Sequence, residues 1–409
     1  MTTIAHAGDS LSRGQRVVYI VALGLLVALG PFTVDLYLPA FPSVGREFGA
    51  SDAAVQLTLT ATTIGFAIGQ LVVGPWSDRV GRRTPLLIAT AVHIMASLGV
   101  ALAPNIELLT VLRIAQGIGA AGGGVVALAV VRDLFGGQPL IRMLSRMALI
   151  TGLAPILAPV IGSQLLLVTQ WRGIFISLAA YGALVLVIAA LLITETLPPE
   201  RRGVSGHNTM RSRYRALFTD RVFVGLAIIG GLVFSALFVY LSSSSFLFQT
   251  IYGFNAQQFG LLFGVNSIGL ALASQTSSRV MRRVAPQWVL AAAISIMLVA
   301  SSLIGIFHLL GFGLLSVEIP LFFVVASFGL GFPSIQVLAL AHHGQEAGTA
   351  ASLLGAVNAG LAGLISPIVG VIGITSALPM AVVMAAVLVV AQVVFWTVVR
   401  PRSVPPIGY

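Results

Sequence analysis

Two ionisable side chains sit inside long apolar stretches of the first half of the chain. Asp35 lies in TVDLYLPAFP (Thr33–Pro42) and Arg113 in LTVLRIAQGIGAAGGG (Leu109–Gly124). An arginine in hydrocarbon costs about 3 kcal/mol or more unless it finds an acceptor or water. Asp35 is the candidate acceptor. A carboxylate beside a cation can carry a proton in one environment and release it in another, as water access and the nearby charge change. That is the chemistry of proton coupling. The plainer alternative is a static buried ion pair that fixes helix packing. On a helix, Arg113, Gln116, Gly117 and Ala120 fall at i, i+3, i+4 and i+7 and share one face. His93, alone in another apolar segment, reads as a packed, hydrogen-bonded residue. The sequence has no nucleophile–base pair, no phosphate-binding glycine loop ending in Lys and no Cys or His cluster. An enzyme, an ATP-driven pump and a metal site are therefore not expected.

The elements that hold these residues follow from composition. The chain has 409 residues, 57% hydrophobic and only 8% charged, against about 25% charged in a soluble domain. So few charges cannot cover a water-exposed surface, so lipid must be the solvent over most of the length. All 22 basic residues are arginine, and the net charge is +10. Basic loops on a membrane protein explain this better than nucleic-acid binding, which is not expected. A spanning helix needs about 20 mostly apolar residues. Twelve such segments run from Val17–Pro39 to Ala377–Val399, each too long and too uniformly apolar for a barrel strand. With an even span number, both tails share one side, and nineteen arginines fall there. The positive-inside rule makes that side cytoplasmic, so both termini are expected in the cytoplasm and the chain in the cell membrane. On this count Asp35 and Arg113 each lie roughly 9 Å inside the outer ends of spans one and four, from the helical rise. They are expected to face one water-filled cavity.

The chain also divides in two. Residues 1–195 carry six spans, 196–220 form a polar cytoplasmic linker, and 221–409 carry six more. GPWSDRVGRR (Gly74–Arg83) has an echo two hundred residues later in SQTSSRVMRR (Ser274–Arg283). APVIG (Ala158–Gly162) is echoed by SPIVG (Ser366–Gly370). Such repeats imply an all-α membrane fold of two pseudo-symmetric six-helix bundles, with a site between them.

Three motifs identify a resemblance. GPWSDRVGRRT resembles motif A of the major facilitator superfamily in Gly74, Asp78, Arg79, Gly81, Arg82 and Arg83. Gly74 and Gly81 permit tight turns, and Asp78 can accept hydrogen bonds from a helix N-terminus or a nearby Arg, which would clamp one conformation. Span four resembles motif B at Leu109, Arg113, Gln116, Gly117, Gly119, Ala120 and Ala121. Span five resembles motif C, with Pro155, Pro159 and Gly162 kept and two of its glycines replaced by Ala158 and Ser163. The prolines predict a kinked helix and Gly162 a close approach. With DLYLPAFP, QLTLT (Gln56–Thr60), VRDLF (Val131–Phe135), WRGIF (Trp171–Phe175) and ETLPPERR (Glu195–Arg202), the chain is similar to the Bcr/CflA-type drug:proton antiporters. That resemblance implies export of small, largely apolar drugs in exchange for protons, by a monomer needing no cofactor beyond the proton gradient. Val27 stands where some related antiporters carry a second acid, which argues against divalent-cation export. The alternative is a major facilitator transporter of a physiological solute such as a sugar or amino acid derivative.

Weaker signals lie mostly in the second half. Tyr37, Phe234, Phe238, Asn266, Gln336 and Asn358 are candidate contacts in an apolar, polyspecific drug cavity, or ordinary packing and interhelical hydrogen bonds. Glu318 reads as an interfacial residue at the start of span ten, and His342 and His343 as solvated loop residues.

Overall fold

The computed structural model describes residues 13–135, 137–202, 210–341 and 347–404. The described residues are helical, without a strand. In order, the helices are α1 (Arg13–Asp35), α2 (Phe41–Phe48), α3 (Asp52–Val80), α4 (Arg83–Ala101), α5 (Ile106–Leu134), α6 (Gly137–Leu165) and α7 (Trp171–Leu192). A short α8 (Met210–Thr219) precedes α9 (Arg221–Phe246), α10 (Ala256–Val280), α11 (Pro286–Leu309), α12 (Leu315–Leu340), α13 (Ala347–Ile365), α14 (Pro367–Ile372) and α15 (Leu378–Val394). Among the described residues, eleven helical segments are long and apolar enough to span a membrane, α1 with α2 and α13 with α14 each counting as one. A shorter apolar stretch, Leu153–Leu165 within α6, stands where the fifth span is expected. Residues 203–209 of the expected linker, and His342 and His343, lie outside the described residues.

Local chemistry sets several helix starts. Asn105 accepts the amide of Leu108 at 2.9 Å and opens α5. Asn255 and Gln258 cap each other's backbone at 2.8 and 3.0 Å and open α10. Each such cap satisfies an amide that the helix itself leaves unpaired. Along the spans, large apolar side chains such as Leu191 (77% exposed) and Val371 (78%) face outward, as lipid contact requires.

Span one is expected to be continuous from Val17 to Pro39. Instead α1 stops at Asp35, a turn and a 3-10 segment (Leu38–Ala40) follow, and α2 begins at Phe41. The cause is Pro39, which lacks an amide hydrogen and whose ring would strike the carbonyl four residues earlier, that of Asp35.

The contacts divide the chain into two compact units, Met1–Tyr37 with Ala61–Ser205, and Leu38–Thr60 with Gly206–Tyr409. In the first, α1 packs on α5, α6 and α7, and α4 packs on α5 and α7. Its core joins Leu23 and Leu26 to Leu86, Val126, Val130, Met143, Met147 and Val185. In the second, α9 is central and packs on α12, α13 and α15, while α12 packs on α10 and α11. Residues 38–60, expected with the first six spans, belong to this second unit. Gln249 Nε2 donates to the Pro39 carbonyl at 3.0 Å, and Gln56 Nε2 to the Ser242 carbonyl and Ser243 Oγ at 3.3 Å each.

Candidate functional site

The break in α1 leaves its last carbonyls without the amides that would follow in a continuous helix. In a membrane such groups must be satisfied from elsewhere. Phe32 still receives the Leu36 amide at 3.2 Å. The carbonyl of Thr33 receives Arg113 Nη1 at 3.0 Å. Arg113 is fully buried, and its guanidinium lies 5.0 Å from the Tyr37 ring and 5.4 Å from the Phe175 ring. The same Nη1 donates to Gln116 Oε1 at 2.6 Å. Arg113 thus serves the C-terminus of a broken helix, the end at which a positive charge is favourable.

This corrects the expected Asp35–Arg113 ion pair. Asp35 and Arg113 meet α1 within two residues of each other, yet no ion pair joins them among the described residues. The guanidinium is instead spent on a backbone carbonyl, that of Thr33, and on Gln116 Oε1. Arg113 Nε and Nη2 have no partner. Asp35 is buried, 5% exposed.

Gln116 extends the site. Its Nε2 donates to Ser97 Oγ at 2.8 Å, Ser97 lies 3.5 Å from His93 Nε2, and His93 Nδ1 lies 3.4 Å from the Gln116 carbonyl. His93 is therefore packed and hydrogen-bonded, as expected. Ser97 was not legible in the motifs.

Small residues bring the backbones together. A Cβ on Gly117 would meet the Thr62 carbonyl oxygen of α3, and one on Gly65 or Gly69 would meet the carbonyls of Ile114 or Ile118 of α5. In α6, which contains Pro155 and Pro159, a Cβ on Gly162 would meet the carbonyl oxygen of Leu36. The motif C-like glycine thus packs on the residue that follows Asp35.

The motif A residues build a second cluster at the α3–α4 turn. Gly81 adopts φ +108°, a conformation that side chains other than glycine's rarely take, and a Cβ there would also strike the Glu195 carboxylate. Arg82 donates to Asp78, to Ser77 Oγ at 2.9 Å and, through Nε, to Asp133 Oδ2 at 2.8 Å. Burial works against the Arg82 charge, but the hydrogen bonds to Asp133 and Asp78 outweigh it and raise its pKa. Arg83 Nη2 donates to the Ala190 carbonyl at 2.7 Å, while Arg79 is exposed and Gly74 packs on Val125. Asp133 and Glu195 complete the cluster. Both lie in segments legible in the sequence, VRDLF and ETLPPERR, but no sequence signal joined them to motif A.

Glu195 accepts the amides of Arg82 at 2.8 Å, Leu197 at 2.9 Å and Arg83 at 3.3 Å. Burial opposes its charge, but these amides and Arg202 hold its pKa below the ordinary range of a glutamate. A depressed carboxylate stabilises the fold above its unfolded pKa and loses that contribution as pH falls through the folded value. Below about pH 4.5, wild type should therefore lose melting temperature faster than Glu195→Gln in detergent, the two curves converging as the pH falls.

The six candidate cavity residues do not form one group. Tyr37 belongs to the first unit and is fully buried beside Arg113 and Phe175, 5.0 Å from each ring or guanidinium centre. Phe234 of α9 stacks with Phe238 at 5.9 Å and meets Phe328 and Phe332 of α12 at 6.2 and 6.1 Å. Asn358 Oδ1 has no partner and lies 3.0 Å from where a Cβ on Gly230, one turn before Phe234, would sit. These residues make an aromatic patch with one polar point. Gln336 is exposed and outside it. Asn266 donates to Glu318 Oε1 at 2.9 Å and to Tyr240 Oη at 3.3 Å. Glu318, expected at the interface, is thus buried, because α10 covers the first turn of α12.

Known proteins similar to this chain identify its family and fold. The family model described as "Major Facilitator Superfamily" matches residues 23–367. A Bacillus subtilis protein described as the uncharacterized MFS-type transporter YdgK is 36% identical over 390 residues, 95% of this chain and 97% of that one. A bicyclomycin resistance protein homolog of Haemophilus influenzae is 29% identical over 379 residues, covering 93% and 95%. The crystal structure of a D-xylose–proton symporter shares the fold with a TM-score of 0.76 at 16% identity, covering 96% of this chain and 100% of that one. The chain belongs to the major facilitator superfamily, a family of multi-pass membrane transporters and not of enzymes.

Proposed function

We propose that the chain exports small, largely apolar drugs in exchange for protons. The observation that carries this reading is a buried carboxylate, Asp35, at the break of α1, two residues from a carbonyl held by an arginine that still has two donors free. In this reading the arrangement seen is the proton-loaded one. With Asp35 neutral, Arg113 serves the Thr33 carbonyl. When Asp35 ionises, Nε and Nη2 of Arg113 supply the missing countercharge, and the turn at Leu36–Tyr37, packed on Gly162, shifts with them. Rocking of the two bundles then exposes Asp35 to either side in turn. The motif A cluster clamps one of the two states, since Arg82 bridges two acids and Glu195 ties three amides. Phe234, Phe238, Phe328 and Phe332, with Asn358, offer the apolar surface with a polar point that a polyspecific site requires.

The relative named for bicyclomycin resistance supports a drug as substrate. The arginine distribution supports both tails in the cytoplasm of a cell-membrane protein. The proton gradient supplies the energy, and a monomer suffices.

The test is substrate-dependent proton release from the purified chain. Bicyclomycin, chloramphenicol and a lipophilic cation should each release protons into weakly buffered detergent solution. A sugar or an amino acid derivative should not. Release by a sugar and by none of the drugs would overturn the drug assignment, and release by no compound would overturn coupling.

A further inference from the structure

We propose that Glu318 and Asn266 form a second proton-holding site, in which one proton joins Glu318 Oε2 to Asn266 Oδ1. This deepens the proton-coupled reading and takes its purpose from it, but its occupancy can be measured separately.

The argument begins with two orphaned oxygens. Asn266 Nδ2 donates to Glu318 Oε1 at 2.9 Å, so an amide and a carboxyl group already face each other. The other oxygen of each group, Glu318 Oε2 and Asn266 Oδ1, is buried and has no partner. Buried polar atoms in proteins are nearly always satisfied, and an ionised glutamate offers only acceptors. An ionised Glu318 therefore cannot relieve either oxygen. A protonated Glu318 relieves both, since its hydroxyl donates to Asn266 Oδ1 while its carbonyl oxygen keeps the amide. That is the paired arrangement of a carboxylic acid with a primary amide. Turning the Asn266 amide over gives the same answer, because its oxygen would then face a carboxyl oxygen and only an acid proton can occupy that gap.

No countercharge competes with the proton. Of the elements packed against α12, α9 contributes Arg221 and Tyr240, α10 Arg279, α11 His308, and the described residues of α13 none. Tyr240 meets the amide of Asn266 at 3.3 Å. Arg221, Arg279 and His308 make no hydrogen bond or ion pair with Glu318. An ammonium group could also satisfy two acceptors, but the chain has no lysine to supply one. A water bridging an ionised carboxylate to Asn266 is the remaining rival.

Infrared difference spectra of the full chain in liposomes, recorded as the pH is stepped, separate these. Asp35→Asn serves as the background, so that the first-half carboxyl is silent. A carboxylic-acid C=O band should be present at neutral pH. It should vanish in Asp35→Asn/Glu318→Gln and shift in frequency in Asp35→Asn/Asn266→Leu, which removes the amide partner. Glu318→Gln should keep the melting temperature, because a glutamine can make both hydrogen bonds to Asn266. A spectrum with no band sensitive to Glu318→Gln at neutral pH means an ionised, water-bridged carboxylate and overturns the proposal. The band with no substrate-driven proton release from wild type would leave this site standing and fail the coupling reading instead.

Discussion

Replacing Asp35 with asparagine should abolish uphill transport in proteoliposomes while leaving substrate binding in place. For one proton exchanged per substrate, each pH unit is worth about 1.4 kcal/mol, or about a tenfold accumulation ratio. Wild type under an imposed gradient of one unit should approach that ratio, and Asp35→Asn should fall to a ratio near unity. The asparagine is close in shape and can occupy the end of α1, so the fold should survive. Drug-induced quenching of intrinsic fluorescence should persist with an affinity within a few-fold of wild type. The measurement is drug accumulation in sealed vesicles with the gradient applied and then collapsed. If Asp35→Asn, correctly inserted, still concentrates drug when the gradient is applied, proton coupling does not run through Asp35.

Replacing Gly117 with valine should disrupt the first unit. A Cβ at this position meets the Thr62 carbonyl oxygen and lies close to the Phe66 amide. Backbone cannot swing aside as a side chain can. Overpacking a close-packed interior costs about 1–3 kcal/mol when only side chains must move, and backbone contacts put this case at the upper end or beyond. Displacing α5 from α3 also pulls Arg113 from the Thr33 carbonyl, so transport should fall with stability. Gly124 of the same helix is the control, because a Cβ there meets nothing within 4 Å. Gly124→Ala should be neutral or stabilising by up to about 1 kcal/mol, the difference in helix propensity between the two residues. Melting temperatures of the two variants in detergent decide the matter. A Gly117→Val protein as stable as Gly124→Ala would mean that α3 and α5 do not approach as closely as described.

Asp35, Arg113 and Glu318 differ in how much of their setting follows from the chain alone. Asp35 and Arg113 stand out because an ionisable group in a long apolar segment is rare and costly. Their depth along the spans follows from helix geometry alone. The partner of Arg113 does not follow. A charge seeks the nearest unsatisfied acceptor, and the sequence offers a carboxylate as the obvious one. The competing acceptor is a backbone carbonyl, present at every residue and so invisible as a residue type. It becomes available because it lies in the last turn of α1, whose carbonyls have no following turn of helix to pair with. Glu318 is the converse case. Its place at the start of a span suggests the interface, and only α10, from elsewhere in the chain, covers it with Asn266.

The sequence by itself determined the solvent, the helical class and the family. Each depends on local quantities: apolar length, arginine placement and short glycine-rich motifs whose spacing is set by one helix or one turn. The glycines of motifs B and C announced close packing in advance. Only the tertiary structure decided which backbone they approach. It also decided which acids complete motif A, that residues 38–60 pack in the second unit, and which buried oxygens are left without a hydrogen. These are pairings between segments far apart in the chain. Hydrogen bonds and van der Waals contact act over a few ångströms, so no reading along one segment contains them.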